Sequence, residues 1–249
     1  MKRIKMLGSY VDGLTMAETI NEIERIIQNK TPVQHVVINA NKINLMSKDQ
    51  ELRSIINASP LINADGQSIV IAGRFLGYDI PERVTGIDLF LNLVALCAQK
   101  GYRPYYFGAT QDIVEEVVAS HKKQFPELEV AGYRSGYFEE FESPNIASDI
   151  RKSNADILFV AFSSPKKEFW IDSYLYFMDV PFVMGVGGSF DVVAGKTKRA
   201  PQWMQDIGLE WFYRFIQEPR RMFGRYVKGN ILFLIKVMRE KIKARKQKN

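Results

Sequence analysis

Short runs of β-branched and aromatic residues alternate with helix-length segments from Ile4 to Met184, and this alternation constrains the chain more than any single motif. The strongest run is Asp156–Phe162, almost uninterruptedly apolar, as a strand covered on both faces must be. His35–Ile38, Leu61–Asn63, Pro104–Phe107, Glu129–Tyr133 and Pro181–Met184 read as further short strands, and Ile4–Tyr10 as a first one. Helical patterns fall between them: Met16–Asn29 behind a Thr15 cap, Ser68–Leu76, Ile87–Gln99, Gln111–Gln124 and Asn145–Lys152. One more opens at Ser163-Ser164-Pro165, with proline in its first turn. Strand and helix alternating at these lengths predict an α/β fold, Rossmann-like, with a largely parallel sheet flanked by helices.

After about Lys196 the strand signals stop. Residues 201–247 read as two or three helices carrying Trp203, Trp211, Phe212, Tyr213, Phe215, Phe223, Tyr226 and Phe233. Two units are expected: an α/β core over 1–195 and a basic, aromatic helical appendage over 196–249. The charge divides at the same place. Residues 196–249 hold 15 Lys and Arg against 4 Asp and Glu, whereas residues 1–195 hold 19 against 24. Such a split suits an anionic surface, a membrane or a nucleic acid.

The composition also excludes. With one cysteine, Cys97, no intramolecular disulfide can form and a Cys-based zinc site is not expected. The two histidines stand apart: His35 is expected to pack at a strand start and His121 to face solvent. No Asp-x-Asp sequence or His/Asp cluster offers a metal site, and neither metal nor cofactor is expected. The N-terminal residues lack a secretory apolar run, and no apolar stretch approaches the roughly 20 residues that span a bilayer. A cytoplasmic protein is expected, with the inner face of a membrane open to it.

Open α/β sheets bind ligands at the carboxyl ends of their strands. That rule selects Asn39, Asp65, Gly108, Ser163–Lys167 and Gly187–Asp191, each just past a strand. Asp65, before a glycine, suits a general base and equally a helix cap; Asn39 is similarly ambiguous, since Asn tolerates turn conformations and also orients hydroxyls. The Gly185–Asp191 stretch matches only part of a dinucleotide fingerprint, since Phe190 stands where a third glycine belongs and the motif follows the last strand. It suits a backbone approached by a nucleotide or sugar, or a plain tight turn; a nicotinamide-dependent oxidoreductase is the competing enzyme class. Without metal, a phosphate-handling site needs Arg or Lys, and Lys166, Lys167, Arg199, Arg214, Arg220, Arg221 and Arg225 are candidates. The mixture of aromatics with Arg and Lys after Lys196 suits an interfacial membrane binder, with an RNA-binding module as the competing reading.

Taken together the motifs resemble those of the WecG/TagA/CpsF glycosyltransferases. The resemblance rests on Asn39, Ala64-Asp65-Gly66, Tyr106-Phe107-Gly108-Ala109 and Gly136-Tyr137-Phe138. It continues through Pro165–Ile171, Gly185–Asp191, Arg199-Ala200-Pro201, Glu210–Arg214 and Glu218-Pro219-Arg220-Arg221. It implies an inverting, metal-independent transfer, with N-acetylmannosamine the best-known case, from a UDP-sugar donor to a sugar on a polyprenyl-diphosphate lipid acceptor. It further implies Asp65 as base and Asn39 as a positioning group, with Gly108, Tyr137, Gly187, Gly188 and Asp191 lining the nucleotide pocket. Lys166 and Lys167 would also contact substrate, and Arg214 and Arg221 would reach the diphosphate from an appendage docked on an anionic membrane surface. No nucleic acid is expected as partner, and a homo-oligomer remains open. Two positions depart from the family pattern: Lys167 replaces a glutamine, and Val37 replaces a threonine often found two residues before the asparagine. The departures point to an acidic donor sugar such as N-acetylmannosaminuronate, to glucose, or to a different phosphate contact.

Overall fold

The computed structural model describes residues 3–217, 219 and 228–246, apart from the side chains of Asp206 and Arg214. It opens with two antiparallel strands, β1 (Arg3–Met6) and β2 (Ser9–Asp12), where one strand was expected over Ile4–Tyr10. Leu7 and Gly8 reverse the chain with φ of 53° and 75°, the positive pair that a two-residue hairpin requires. Both carboxylate oxygens of Glu240 accept from the Leu7 N–H, at 3.0 and 2.8 Å. A contact from the far end of the chain therefore holds a turn that the local sequence does not announce.

Helix α1 (Met16–Asn29) starts at the expected Thr15 cap, which Glu18 closes into a capping box. The core then alternates. After β3 (Val33–Ile38) come α2 (Ala40–Met46) and α3 (Gln50–Ala58), then β4 (Leu61–Ala64), α4 (Gln67–Leu76) and α5 (Gly86–Lys100). Next are β5 (Pro104–Gly108), α6 (Gln111–Gln124), β6 (Gly132–Arg134), α7 (Ser143–Lys152), β7 (Ile157–Ala161), α8 (Lys166–Met178), β8 (Phe182–Gly185) and α9 (Ser189–Val193). Helix α3, the second of the two helices between β3 and β4, is capped by the Asp49 side chain accepting from Leu52 N. Strand β6 lies later than the expected Glu129–Tyr133, because only Gly132–Arg134 reach the edge of β5 to pair. Pro165 occupies the cap of α8 and not its first turn.

Six strands form one parallel sheet in the order β4-β3-β8-β7-β5-β6. Strand β7, the strongest apolar run, lies between β5 and β8 and is covered on both sides. Ile157 and Phe159 enter one cluster, with Phe90 and Val114; Leu158 and Val160 enter the other, with Ile150 and Ile171. That is the period-two pattern of a strand buried on both faces. Connections running toward β4 place α2, α3, α7 and α8 on one face, whereas those running toward β6 place α5 and α6 on the other. Uniformly right-handed crossovers require that segregation. The loops leaving β5 and β7 consequently diverge, and a crevice opens between their carboxyl ends, where doubly wound sheets bind ligands.

Both histidines lie in this interior. His121, expected at the surface, is 1% exposed on α6, with Nδ1 3.1 Å from the Tyr106 hydroxyl, and burial lowers its pKa to about 4. The apolar face of α6 turns it toward Phe90 and Tyr106. His35 sits within β3, 2.9 Å from Asn63 Oδ1, and is lowered to about 4 by burial.

Past β8 the described chain is helical: α10 (Gln202–Asp206), α11 (Glu210–Gln217) and α12 (Gly229–Lys246). Helix α12 inserts Phe233 and Val237 into the cluster holding Ile43, Met46 and Val70. Burying a side chain such as Phe233 stabilises by about 1.5–3 kcal/mol. Polar contacts fix the register, with Lys236 Nζ donating to Asn44 Oδ1 at 2.7 Å and to Ser47 Oγ at 2.8 Å.

Candidate active site

Asp65 follows β4 directly, and its own N–H extends the pairing by donating to Ile38 O at 2.9 Å. The carboxylate does not cap α4, whose cap is Gly66. Its Oδ1 accepts from the Gly86 N–H at 2.9 Å, at the first residue of α5, and its Oδ2 accepts from Asn39 Nδ2 at 3.3 Å. Asn39 also caps α2, its Oδ1 accepting from Lys42 N at 3.1 Å. The helix that follows β3 thus orients the amide that orients the acid. Asp65 is partly exposed, and with one hydrogen bond on each oxygen it keeps lone pairs for a substrate hydroxyl.

Beside this pair lies a buried charge cluster that sequence spacing did not reveal. Lys42, on α2, and Glu168, on α8, form an ion pair at 2.7 Å with side chains 6% and 2% exposed. Ser164 Oγ donates to Glu168 Oε1 at 2.9 Å, and Lys167 Nζ donates to Ser164 Oγ at 2.9 Å while standing 3.6 Å from Glu168. Burial favours a neutral Glu168, but the charges of Lys42 and Lys167 and the bonds from Lys42 and Ser164 outweigh it and lower its pKa. Lys167 responds oppositely. Burial first, and the Lys42 charge second, lower it to about 8, against support from Glu168 and Asp65. The Lys167 stem lies across Gly185, where an added Cβ would come within 2.6 Å of its Cδ, so glycine at this strand end makes room for it. Gly187, at φ 55°, faces the Lys167 ammonium; Gly188 caps the short α9, and Asp191 stands in its first turn. Val37 packs beside Gly86, whose Cβ would lie 3.9 Å from Val37 Cγ2.

The other predicted residues gather farther along the edge. A cleft of about 620 Å³ opens where β5 and β7 diverge, lined by Ala109, Tyr137, Phe138, Ala161, Ser163 and Lys166 among others. Gly108 lies beneath it against Gly136, and Tyr137 is 77% exposed at its rim. Lys166 Nζ stacks 4.9 Å from the Phe138 ring and 5.4 Å from the Phe162 ring. The consecutive lysines at the start of α8 thus serve different places, Lys166 the cleft and Lys167 the Asp65 end. Asp65, Asn39, Lys167 and Gly187 form one group; Gly108, Tyr137 and Lys166 form a second, and one carboxyl edge carries both. The Arg214 side chain and Arg221 lie outside the described residues. Among the described residues, no three His, Cys, Asp or Glu side chains gather as metal ligands.

Lys42, Glu168 and Gly86 join the Asp65 group although the strand-end rule did not select them. Pro165–Ile171 contained one signal, a glutamate directly after two lysines, but its partner lies far away in the chain.

Residues 4–247 match the family described as glycosyl transferase WecG/TagA/CpsF. The N-acetylglucosaminyldiphosphoundecaprenol N-acetyl-beta-D-mannosaminyltransferase of Bacillus subtilis (strain 168) is 34% identical over 174 residues, 70% of this chain and 67% of that protein. Its namesake from Bacillus spizizenii is 34% identical over 168 residues, 68% of this chain and 65% of its own length. The protein of the same name from Staphylococcus aureus (strain MW2) is 28% identical over 248 residues, 99% of this chain and 96% of its own. The chain is therefore a glycosyltransferase, a member of the WecG/TagA/CpsF family.

Proposed function

We propose that this enzyme moves N-acetylmannosamine from a UDP-sugar to a polyprenyl-diphosphate-linked acceptor sugar, inverting the anomeric centre without a metal. The observation that carries the reading is the Asp65 carboxylate, fixed by Gly86 N–H and Asn39 Nδ2 at a strand end with lone pairs to spare. Asp65 takes the proton of the acceptor hydroxyl as its oxygen attacks the anomeric carbon. The bond from that carbon to the β-phosphate oxygen breaks, and the electron pair leaves with UDP. The names of the Bacillus and Staphylococcus relatives support the donor sugar and the lipid acceptor. Gly108, Tyr137 and Lys166 would receive the nucleotide in the cleft, with Gly187, Gly188 and Asp191 toward the sugar and Arg214 and Arg221 on the diphosphate.

We further propose that residues 196–249 dock on the inner face of the membrane that holds the acceptor. No helix among the described residues is long and apolar enough to cross a bilayer. Trp203, Ile231, Leu234 and Met238 are nonetheless exposed, and Lys241, Lys243, Arg245 and Lys246 follow them. Apolar anchors beside basic residues suit an anionic leaflet, where each cation contributes about 1 kcal/mol. The buried Lys167 ammonium favours a second reading of the donor, an acidic N-acetylhexosaminuronate. Turnover of a UDP-sugar panel with a synthetic polyprenyl-diphosphate N-acetylglucosamine acceptor decides between them. Transfer of N-acetylmannosamine supports the first reading, transfer of the uronate alone supports the second, and transfer of neither refutes both.

A further inference from the structure

One distant stretch, residues 199–210, touches the chain on both sides of Asp65. On one side Gly208, at φ 75°, leaves so little space above α4 that an added Cβ would lie 2.9 Å from the Gln67 side chain, two residues past Asp65. On the other side stands the segment 83–88, the entry to α5, which presents the Gly86 N–H to Asp65. Arg83 Nη1 pairs with Glu210 Oε2 at 2.9 Å, and Arg83 Nη2 donates to Gln205 O at 3.2 Å. Glu210 Oε1 lies 3.4 Å from Arg199 Nε, and Arg199 Nη2 closes on Asp88 Oδ1 at 2.6 Å as a charge contact. Asp88 also accepts from the hydroxyl of Thr85, the cap of α5. Arg83 and Asp88 thus bracket Thr85-Gly86, and Glu210 and Arg199 join the two into a partly buried chain of four charges.

We infer that Glu210 is a positioning residue for Asp65: by clamping Arg83 and Arg199 it holds the 83–88 segment at the start of α5 so that Gly86 keeps its hydrogen bond to the acid. The inference rests on the reading of Asp65 as base. It gives the segment 199–210 a role separate from lipid binding and from any arginine contact with the diphosphate. A base moved by even a fraction of an ångström meets the acceptor hydroxyl poorly, whereas donor binding along the rest of the edge is untouched. The effect therefore belongs in kcat and not in KM.

The test compares the full-length chain with Glu210→Gln and Glu210→Asp, reading amide hydrogen exchange at Gly86 and steady-state kinetics. Glu210→Gln is expected to speed Gly86 exchange about tenfold and lower kcat about tenfold, with donor KM within about twofold. Glu210→Asp, which keeps the charge, is expected to recover most of both. Unchanged Gly86 exchange overturns the inference, as does faster exchange with an unchanged kcat. Exchange accelerated equally throughout the chain also overturns it, because that outcome is general destabilisation. Asp65→Asn distinguishes the two readings. If that variant remains fully active the base assignment fails, while the hold of Glu210 on Gly86 is still judged by exchange.

Discussion

Lys42 and Glu168 meet at 2.7 Å with almost no exposure, one from the helix after β3 and the other from the helix after β7. The pair ties together two helices that start at the same carboxyl edge from different parts of the chain. Ser164 and Lys167 extend it toward Asp65, so this cluster organises the Asp65 end of the site.

Removing Glu168 leaves Lys42 buried without its counterion, and removing Lys42 leaves Glu168 only Lys167, at 3.6 Å. Lys42→Met is expected to destabilise the fold by about 3–5 kcal/mol, and Glu168→Leu alone by a similar amount. The double variant should recover much of the loss, since two apolar side chains need no counterion. Urea unfolding of the three variants gives the values, and additive losses would show that the pair is not coupled.

Asp65→Asn keeps an oxygen to accept from Gly86 but cannot take the acceptor proton. Turnover is expected to fall by about 10²–10⁴-fold, the usual range for loss of a general base. UDP affinity measured by calorimetry should remain within about twofold.

Lys167 links stability to pH. Its pKa in the folded chain is lowered to about 8 from an ordinary 10.5, so the folded state releases this proton first. Between those values the unfolded chain holds more protons, and the stability contributed by this group rises with pH. Below about pH 8 both states are protonated and the full cost of burying the charge remains. Lys167→Gln is thus expected to raise stability by about 1–3 kcal/mol at pH 7 and by little at pH 10.5. Denaturation midpoints at the two values check the sign.

Gly185→Ala places a methyl group where the Lys167 stem lies, within 2.6 Å of Cδ. The flexible lysine can move, so the stability loss should stay near 1–2 kcal/mol. Donor KM should rise if the ammonium contacts the donor. The comparison with Lys167→Gln is direct, because the glycine change should add little once the lysine is absent.

Leu234 and Met238 are exposed on α12, whereas Phe233 and Val237 face the core. Replacing Leu234 and Met238 by Ser should leave the melting temperature within a few degrees. It should reduce co-sedimentation with phosphatidylglycerol vesicles about tenfold. Equal sedimentation would remove α12 from the docking surface.

Most of the parallel sheet was legible in local pattern, for a physical reason. A strand buried on both faces must be apolar throughout, as Ile157–Ala161 is, and a parallel neighbour requires an intervening helix. The strand ends then marked Asn39, Asp65 and Gly108 as candidates without knowledge of strand order. The hairpin at Leu7-Gly8 was not legible, since its turn is held by Glu240 from the opposite end of the chain. His121 was misplaced because a histidine among charged neighbours looks solvent-facing, and only the packing of α6 on Tyr106 and Phe90 turns it inward.

What the sequence determined by itself was the alternation of strand and helix through the core and the parallel type of the sheet, both consequences of apolar period and chain direction. The tertiary structure alone decided which charges share the carboxyl edge of that sheet. Lys42 with Glu168, Arg83 with Glu210 and Gly86 with Asp65 are separated by many residues, and no local spacing encodes their meeting. Low dielectric makes those meetings matter, because a buried or half-buried charge must find its partner wherever the fold brings one within reach.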